Sequence, residues 1–181
     1  VRVGTKSLIF GVHQFAWHPW TVARAWRHLY GHWPTWREAV CIAVHDWGYW
    51  GSPNINGPEG EWHPVAGAAI AGRLFDRHYH QDLCLYHSRH YARAVGVEPS
   101  ALCWPDKQSL MFDPPWFYLF RARLSGELAE HRQTAATAGV VPLSASDTEW
   151  LAVMHQRFHK LVQERRGDAI SYDNPPWGAG R

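Results

Sequence analysis

Histidine and aspartate carry the chemistry this sequence could do. The chain holds 13 histidines. A lone histidine is ordinarily a satisfied polar residue, so spacing decides what these mean. His45 and Asp46 close an apolar run of Ala39, Val40, Ala43 and Val44, and Trp47 and Gly48 follow. Adjacent residues do not share a helix face. At a helix end, however, the last two can turn toward one point, and a divalent cation is a reason to do so. It takes imidazole nitrogen and carboxylate oxygen together. His18 opens the preceding helical stretch as His-Pro-Trp-Thr-Val-Ala-Arg, and Asp106 stands in Trp-Pro-Asp-Lys-Gln-Ser-Leu. Between them fall His63, in Glu-Trp-His-Pro-Val-Ala-Gly, and His87, in Leu-Tyr-His-Ser-Arg-His-Tyr.

Helices must position these groups. Over 19–30, Val22, Trp26 and Leu29 form a helical stripe that Gly31 stops. Thr35 with Glu38 is a capping-box pair opening the helix that ends at His45-Asp46. Residues 47–62 are turn chemistry throughout and read as a loop. Pro64 suits the first turn of a third helix, where its missing donor costs nothing. A fourth helix is predicted over 80–95, with His87 and His90 on one face. A fifth starts near Pro99 and carries Leu102, Asp106 and Leu110. A sixth runs from Pro114-Pro115 to Ala136. Residues 139–145 are a loop, and Ser146 with Glu149 caps a final helix striped by Trp150, Met154, Phe158 and Leu161. The tail from Gly167, rich in Gly, Pro and Asp, is expected to be loose. No strand, repeat or linker stands out. The prediction is one all-α domain. Residues 1–136 form the part that bears the site, and 137–181 form a C-terminal helix and tail packed on it.

The order His, His-Asp, His, His, Asp over residues 12–112 resembles the HD superfamily of metal-dependent phosphohydrolases. His18 with Val22 and Ala23 is similar to that family's first helix. His45-Asp46-Trp47-Gly48 is similar to its His-Asp-x-Gly step, His63-Pro64 with Gly67 to its third-helix histidine, and Asp106-Lys107 with Leu110 to its closing Asp-Lys. The resemblance implies an HD-type helical bundle with one extra C-terminal helix. It implies that His18, His45, Asp46 and Asp106 bind a first divalent ion. His63 and His87, with Asp46 bridging, would bind a second. The ion could be Mn, Fe, Co, Ni, Zn or Mg. His13 is a rival for the first position, but His18 fits the Pro-x-x-Val-Ala context better. Two-metal branches often carry adjacent histidines on the fourth helix, whereas His87 and His90 are three apart.

A bound ion of this kind lowers the pKa of its water and polarises a phosphoryl oxygen. Phosphoryl transfer needs positioning and neutralisation of spreading charge. Asp46, Glu61 and Lys107 are therefore the expected catalytic residues, Glu61 as a water-positioning acid or base and Lys107 as the neutralising cation. Arg89 and His90 are candidate substrate contacts. So are Trp17, Trp20, Trp47 and Trp50, whose faces could stack a nucleobase at ~1–3 kcal/mol each. The expected substrate is a small phosphorylated molecule, a deoxynucleoside mono- or triphosphate being favoured. Three other readings are open: a cyclic nucleotide or dinucleotide phosphodiesterase, a di-iron HD-fold oxygenase, and a non-catalytic binding module.

Composition bounds the rest. At 181 residues and 46% apolar, one domain with a real core is expected. A net charge of +2 gives no reason to expect duplex nucleic acid or an anionic membrane as partner. Three cysteines without a C-x-x-C pair read as buried or free thiols in a reducing compartment. With no apolar run of membrane length and no signal-peptide core, a cytoplasmic protein is expected. Twelve tryptophans on short helices make a homo-oligomeric contact plausible, with the final helix as candidate.

Overall fold

The capping box at Thr35 forms. Its hydroxyl accepts the Glu38 N–H, and the Glu38 carboxylate accepts the Thr35 N–H at 2.7 Å. This fixes where the helix leading to His45 begins. The computed structural model describes residues 1–75 and 78–169. It contains α1 (Val3–Phe10), α2 (Trp17–Tyr30), α3 (Trp36–Val44), α4 (Pro64–Leu74), α5 (Tyr79–Leu85), α6 (Arg89–Ala94), α7 (Cys103–Gln108), α8 (Pro115–Ser125), α9 (Glu127–Thr137) and α10 (Asp147–Ala169). Short 3-10 turns lie at Trp47–Tyr49, Gly60–Trp62 and Ser109–Phe112. Among the described residues there is no strand, and the chain is all-α. No helix among them is long and apolar enough to cross a membrane.

Three features depart from the sequence reading. First, α1 was not anticipated. Its buried residues are Gly4, Ser7 and Leu8, too small and polar to leave an apolar stripe. Second, the helix expected over 80–95 is two helices, broken at Tyr86–His87–Ser88. Ser88 takes an extended backbone, and its hydroxyl accepts the Tyr91 N–H, opening α6 instead of continuing α5. His87 and His90 therefore do not share a helix face. Third, the helix expected to reach Ala136 breaks at Gly126, whose φ of 92° lies in the left-handed region that glycine adopts freely. At the C-terminus α10 continues to Ala169, through the start of the tail expected to be loose. Residues 170–181 lie outside the described residues.

Two apolar clusters hold these helices. One joins α2, α3, α4, α5 and α7 through Val22, Trp26, Leu29, Ile42, Leu83 and Leu102. The other joins α8, α9 and the start of α10 through Tyr118, Leu119, Leu128, Trp150 and Leu151. Val162, near the far end of α10, is buried in the first cluster. All three cysteines are buried and none forms a disulfide.

Candidate metal centre

Helix α3 ends at His45, which is still helical, and Asp46 then leaves the helix at φ −95° and ψ 2°. That step turns both side chains toward one point. The second residue of α2 brings His18 there, and the middle of α7 brings Asp106. Asp46 Oδ2 lies 3.2 Å from His18 Nε2 and 3.1 Å from His45 Nε2, and Asp106 Oδ1 lies 3.2 Å from His18 Nε2. The ligand atoms of His18, His45, Asp46 and Asp106 all fall within 4.8 Å of one another. A second cluster shares Asp46, whose Oδ1 lies 3.7 Å from His63 Nε2 and 3.5 Å from His87 Nε2. Both clusters are almost wholly buried.

The outer nitrogens of three rings are tied down. Nδ1 of His45 donates to the Ile42 carbonyl at 2.7 Å, Nδ1 of His63 to the Gly60 carbonyl at 2.7 Å, and Nδ1 of His87 to the Cys84 carbonyl. Each partner is the carbonyl three residues earlier. With the proton on Nδ1, each Nε2 presents a lone pair inward. His63 Nε2 and His87 Nε2 then face each other at 3.0 Å. His18 Nε2, His45 Nε2 and Asp46 Oδ2 are buried with no hydrogen-bond partner, although both nitrogens stand 3.1–3.2 Å from that oxygen. Buried polar atoms are normally paired. Converging unpaired lone pairs and carboxylate oxygens are the donor set a cation satisfies, so these residues fit a divalent ion.

Electrostatics divides the centre. Burial opposes charge on His45, but Asp46 and Asp106 outweigh it and raise the ring to about 10. Burial would likewise lift Asp46 and Asp106. The histidines around Asp46, and Lys107 and His18 beside Asp106, instead hold both carboxyls well below the usual range. Burial, with His87 alongside, lowers His63 to about 3. Without a cation, these surroundings favour the charged form of His45 and the neutral form of His63.

The other residues expected at the site divide clearly. Lys107 Nζ reaches Asp106 Oδ2 at 2.8 Å and lines a cavity of about 400 Å³ beside the centre, together with His18 and Asp106. Glu61 is partly exposed, 3.9 Å from the exposed His90. Arg89 opens α6. The Trp17 indole N–H is donated to Asp113 Oδ1 at 3.1 Å, Trp20 stacks on Trp33, and Trp47 and Trp50 are exposed at 48% and 68%. Glu61, Arg89, His90 and these four tryptophans are not among the residues lining the cavity.

Tyr49, His13 and Glu127 also stand near the centre, and of these sequence reasoning missed Glu127. Tyr49 stacks on His63 at 4.3 Å and 11°. His13 is held by Glu127, with Nδ1 2.8 Å from Oε1, and its ring lies 5.4 Å from that of His18. Glu127 is fully buried and also accepts from Ser7, Ser125 and the Val12 N–H. Only the Ser125-Gly126-Glu127 helix punctuation hinted at it.

Comparison of the chain with protein-family models, with curated protein sequences and with solved structures finds no match.

Proposed function

We propose that the chain is a divalent-metal-dependent phosphohydrolase of the HD type, acting on a nucleotide. One observation carries this reading: two buried His/Asp clusters share Asp46, and the first of them opens through His18 and Asp106 into a cavity that also holds Lys107. A divalent ion held by His18, His45, Asp46 and Asp106 would polarise a phosphoryl oxygen and supply an activated water. His63 and His87, with Asp46, would hold a second. The protein's own groups do the rest. The Nδ1–H bonds keep three rings aimed inward. Lys107 faces the cavity as a cation: burial alone would lower its pKa, but Asp106 beside it raises it. It can neutralise charge on a transferring phosphoryl group. In the reaction a water oxygen bonds to phosphorus and the phosphorus–oxygen bond to the nucleoside, or to the rest of the nucleotide, breaks.

The test is product release from nucleoside mono-, di- and triphosphates and cyclic nucleotides, each with added Mn, Co, Mg or Zn. Turnover of one class that a chelator abolishes is expected. No turnover with any metal would overturn the reading. Two bound irons in the purified protein would then point to the oxygenase, because the six-residue set accommodates that pair equally.

Gly48 gives a sharper check on the second cluster. A Cβ there would stand 2.1 Å from the His63 carbonyl oxygen and 2.6 Å from its Cα. Gly48→Ala must therefore displace His63. The expected result is a chain that keeps the ion at His18, His45, Asp46 and Asp106 and loses the one at His63 and His87, read by elemental analysis. Unchanged metal content would refute it.

A further inference from the structure

The wall of the cavity away from the metal centre is built by residues beyond the HD-like segment. Tyr118 comes from α8, His131 from α9, and Trp150, Met154, Arg157 and Phe158 from α10. We propose that this wall binds the organic part of the substrate, a planar ring bearing hydrogen-bond acceptors, while the phosphate end lies toward Lys107 and the clusters. The phosphate half rests on the function proposed above. The ring half rests on the wall itself.

At about 400 Å³ the cavity falls within the ~300–1,000 Å³ of small-molecule sites. Its lining divides about evenly between apolar or aromatic side chains and polar or charged ones, with Trp150, Met154 and Phe158 on the far wall. Trp150 is 3% exposed, and its indole N–H has no acceptor in the protein. Buried donors are rarely left so. His131 lies flat on Trp150, with ring centroids 6.1 Å apart and planes 7° from parallel, and Tyr118 lies near-parallel to the same indole. The Asn56 amide donates to His131 Nδ1 at 2.8 Å. Burial lowers His131 to about 4, so the ring is neutral near pH 7. A neutral imidazole that accepts at Nδ1 carries its proton at Nε2. The wall therefore holds two N–H groups suited to ring carbonyls or ring nitrogens, flanked by Met154 and Phe158. Lys107, beside the clusters, suits the anionic end. A nucleoside phosphate has this division of chemistry. Glycerol phosphate and inorganic phosphate have only its anionic half.

The experiment is calorimetric titration of the metal-loaded protein with a deoxynucleoside 5′-monophosphate, glycerol 3-phosphate and inorganic phosphate. The nucleotide is expected to bind at least about tenfold more tightly than glycerol 3-phosphate. Met154→Trp, which fills the cavity, is expected to weaken the nucleotide about tenfold or more and leave inorganic phosphate unchanged. Trp150→Phe keeps the ring and removes the N–H, and is expected to weaken the nucleotide by about fivefold. Metal content reports whether each variant has folded around the centre. If Met154→Trp has not, Trp150→Phe decides. Equal affinity for nucleotide and glycerol 3-phosphate, or wild-type nucleotide affinity in a folded variant, overturns the proposal. Nucleotide that binds and responds to both substitutions but is not hydrolysed with any metal supports the wall and overturns the hydrolase. Hydrolysis that ignores the organic group does the reverse.

Discussion

Asp46→Ala is expected to empty both clusters at once. Asp46 is the residue they have in common, with Oδ2 facing His18 and His45 and Oδ1 facing His63 and His87. Metal content should fall to background in the purified variant. Hydrolysis should fall by about a thousandfold or more, since charge stabilisation and water activation disappear together. His63→Ala is a graded control, because it reaches only the second cluster. Asp46→Ala also leaves the buried His45 beside one carboxylate instead of two, so the stripped variant should hold a proton there less tightly than the stripped wild type. An Asp46→Ala chain that kept its full metal content and lost only turnover would rule out the bridging role.

The four residues of the first cluster were legible because their placement is local. His45 and Asp46 end an apolar helix whose start is fixed by Thr35 and Glu38, and the turn away from helical backbone occurs at Asp46 itself. His18 sits at the start of α2 and Asp106 within the short α7, each with its own signals. The break at Ser88 was not legible, since a serine within a helical pattern is as compatible with the interior as with a cap until its hydroxyl is seen accepting the Tyr91 N–H. Nor could residue type say which aromatics face solvent. Trp47 and Trp50 are exposed, whereas Trp150, one tryptophan among twelve, is buried on the cavity wall. The cavity brings together residues more than a hundred positions apart, from Val12 to Phe158, and no local pattern records that meeting.

Glu127→Ala is expected to be the most destabilising substitution outside the clusters. Its carboxylate accepts from Ser7 Oγ and His13 Nδ1 on one oxygen and from Ser125 Oγ and the Val12 N–H on the other. Alanine removes the shared acceptor; Ser125 Oγ keeps the Arg121 carbonyl and Ser7 Oγ the His13 ring, but the Val12 N–H is left without its partner and the buried site without its anion. The expected cost is about 3–5 kcal/mol, a drop in Tm of roughly 10 °C for a chain of this length. Glu127→Gln should be milder. Its carbonyl can still take the Val12 N–H, and its amide can donate to His13 once that ring adopts the other tautomer. The pH dependence separates the two states of the wild type. Burial would raise the Glu127 pKa, but His13 and Ser125 overcome it and hold the group at about 2, against about 4.3 in an unfolded chain. A depressed carboxyl stabilises the fold above the unfolded value and loses that contribution as pH falls through the folded one. Thermal melts from pH 5 down to 2 should therefore show wild type falling toward the alanine variant. Parallel curves at a constant offset would contradict the assignment.

Helix α10 has a consequence for how the molecule opens. Trp150 and Leu151 are buried with α8 and α9, while Val162 is buried with α2 and α7. One rigid rod is thus pinned in two apolar clusters that share few other residues. Neither cluster can melt without lifting an end of that rod, so both belong to a single cooperative unit. Anything bound against Trp150 and Met154 would stabilise the distant Val22–Ile42 cluster by mass action. The slowest hydrogen exchange in α2 would then register occupancy of a cavity wall formed by the other end of the chain.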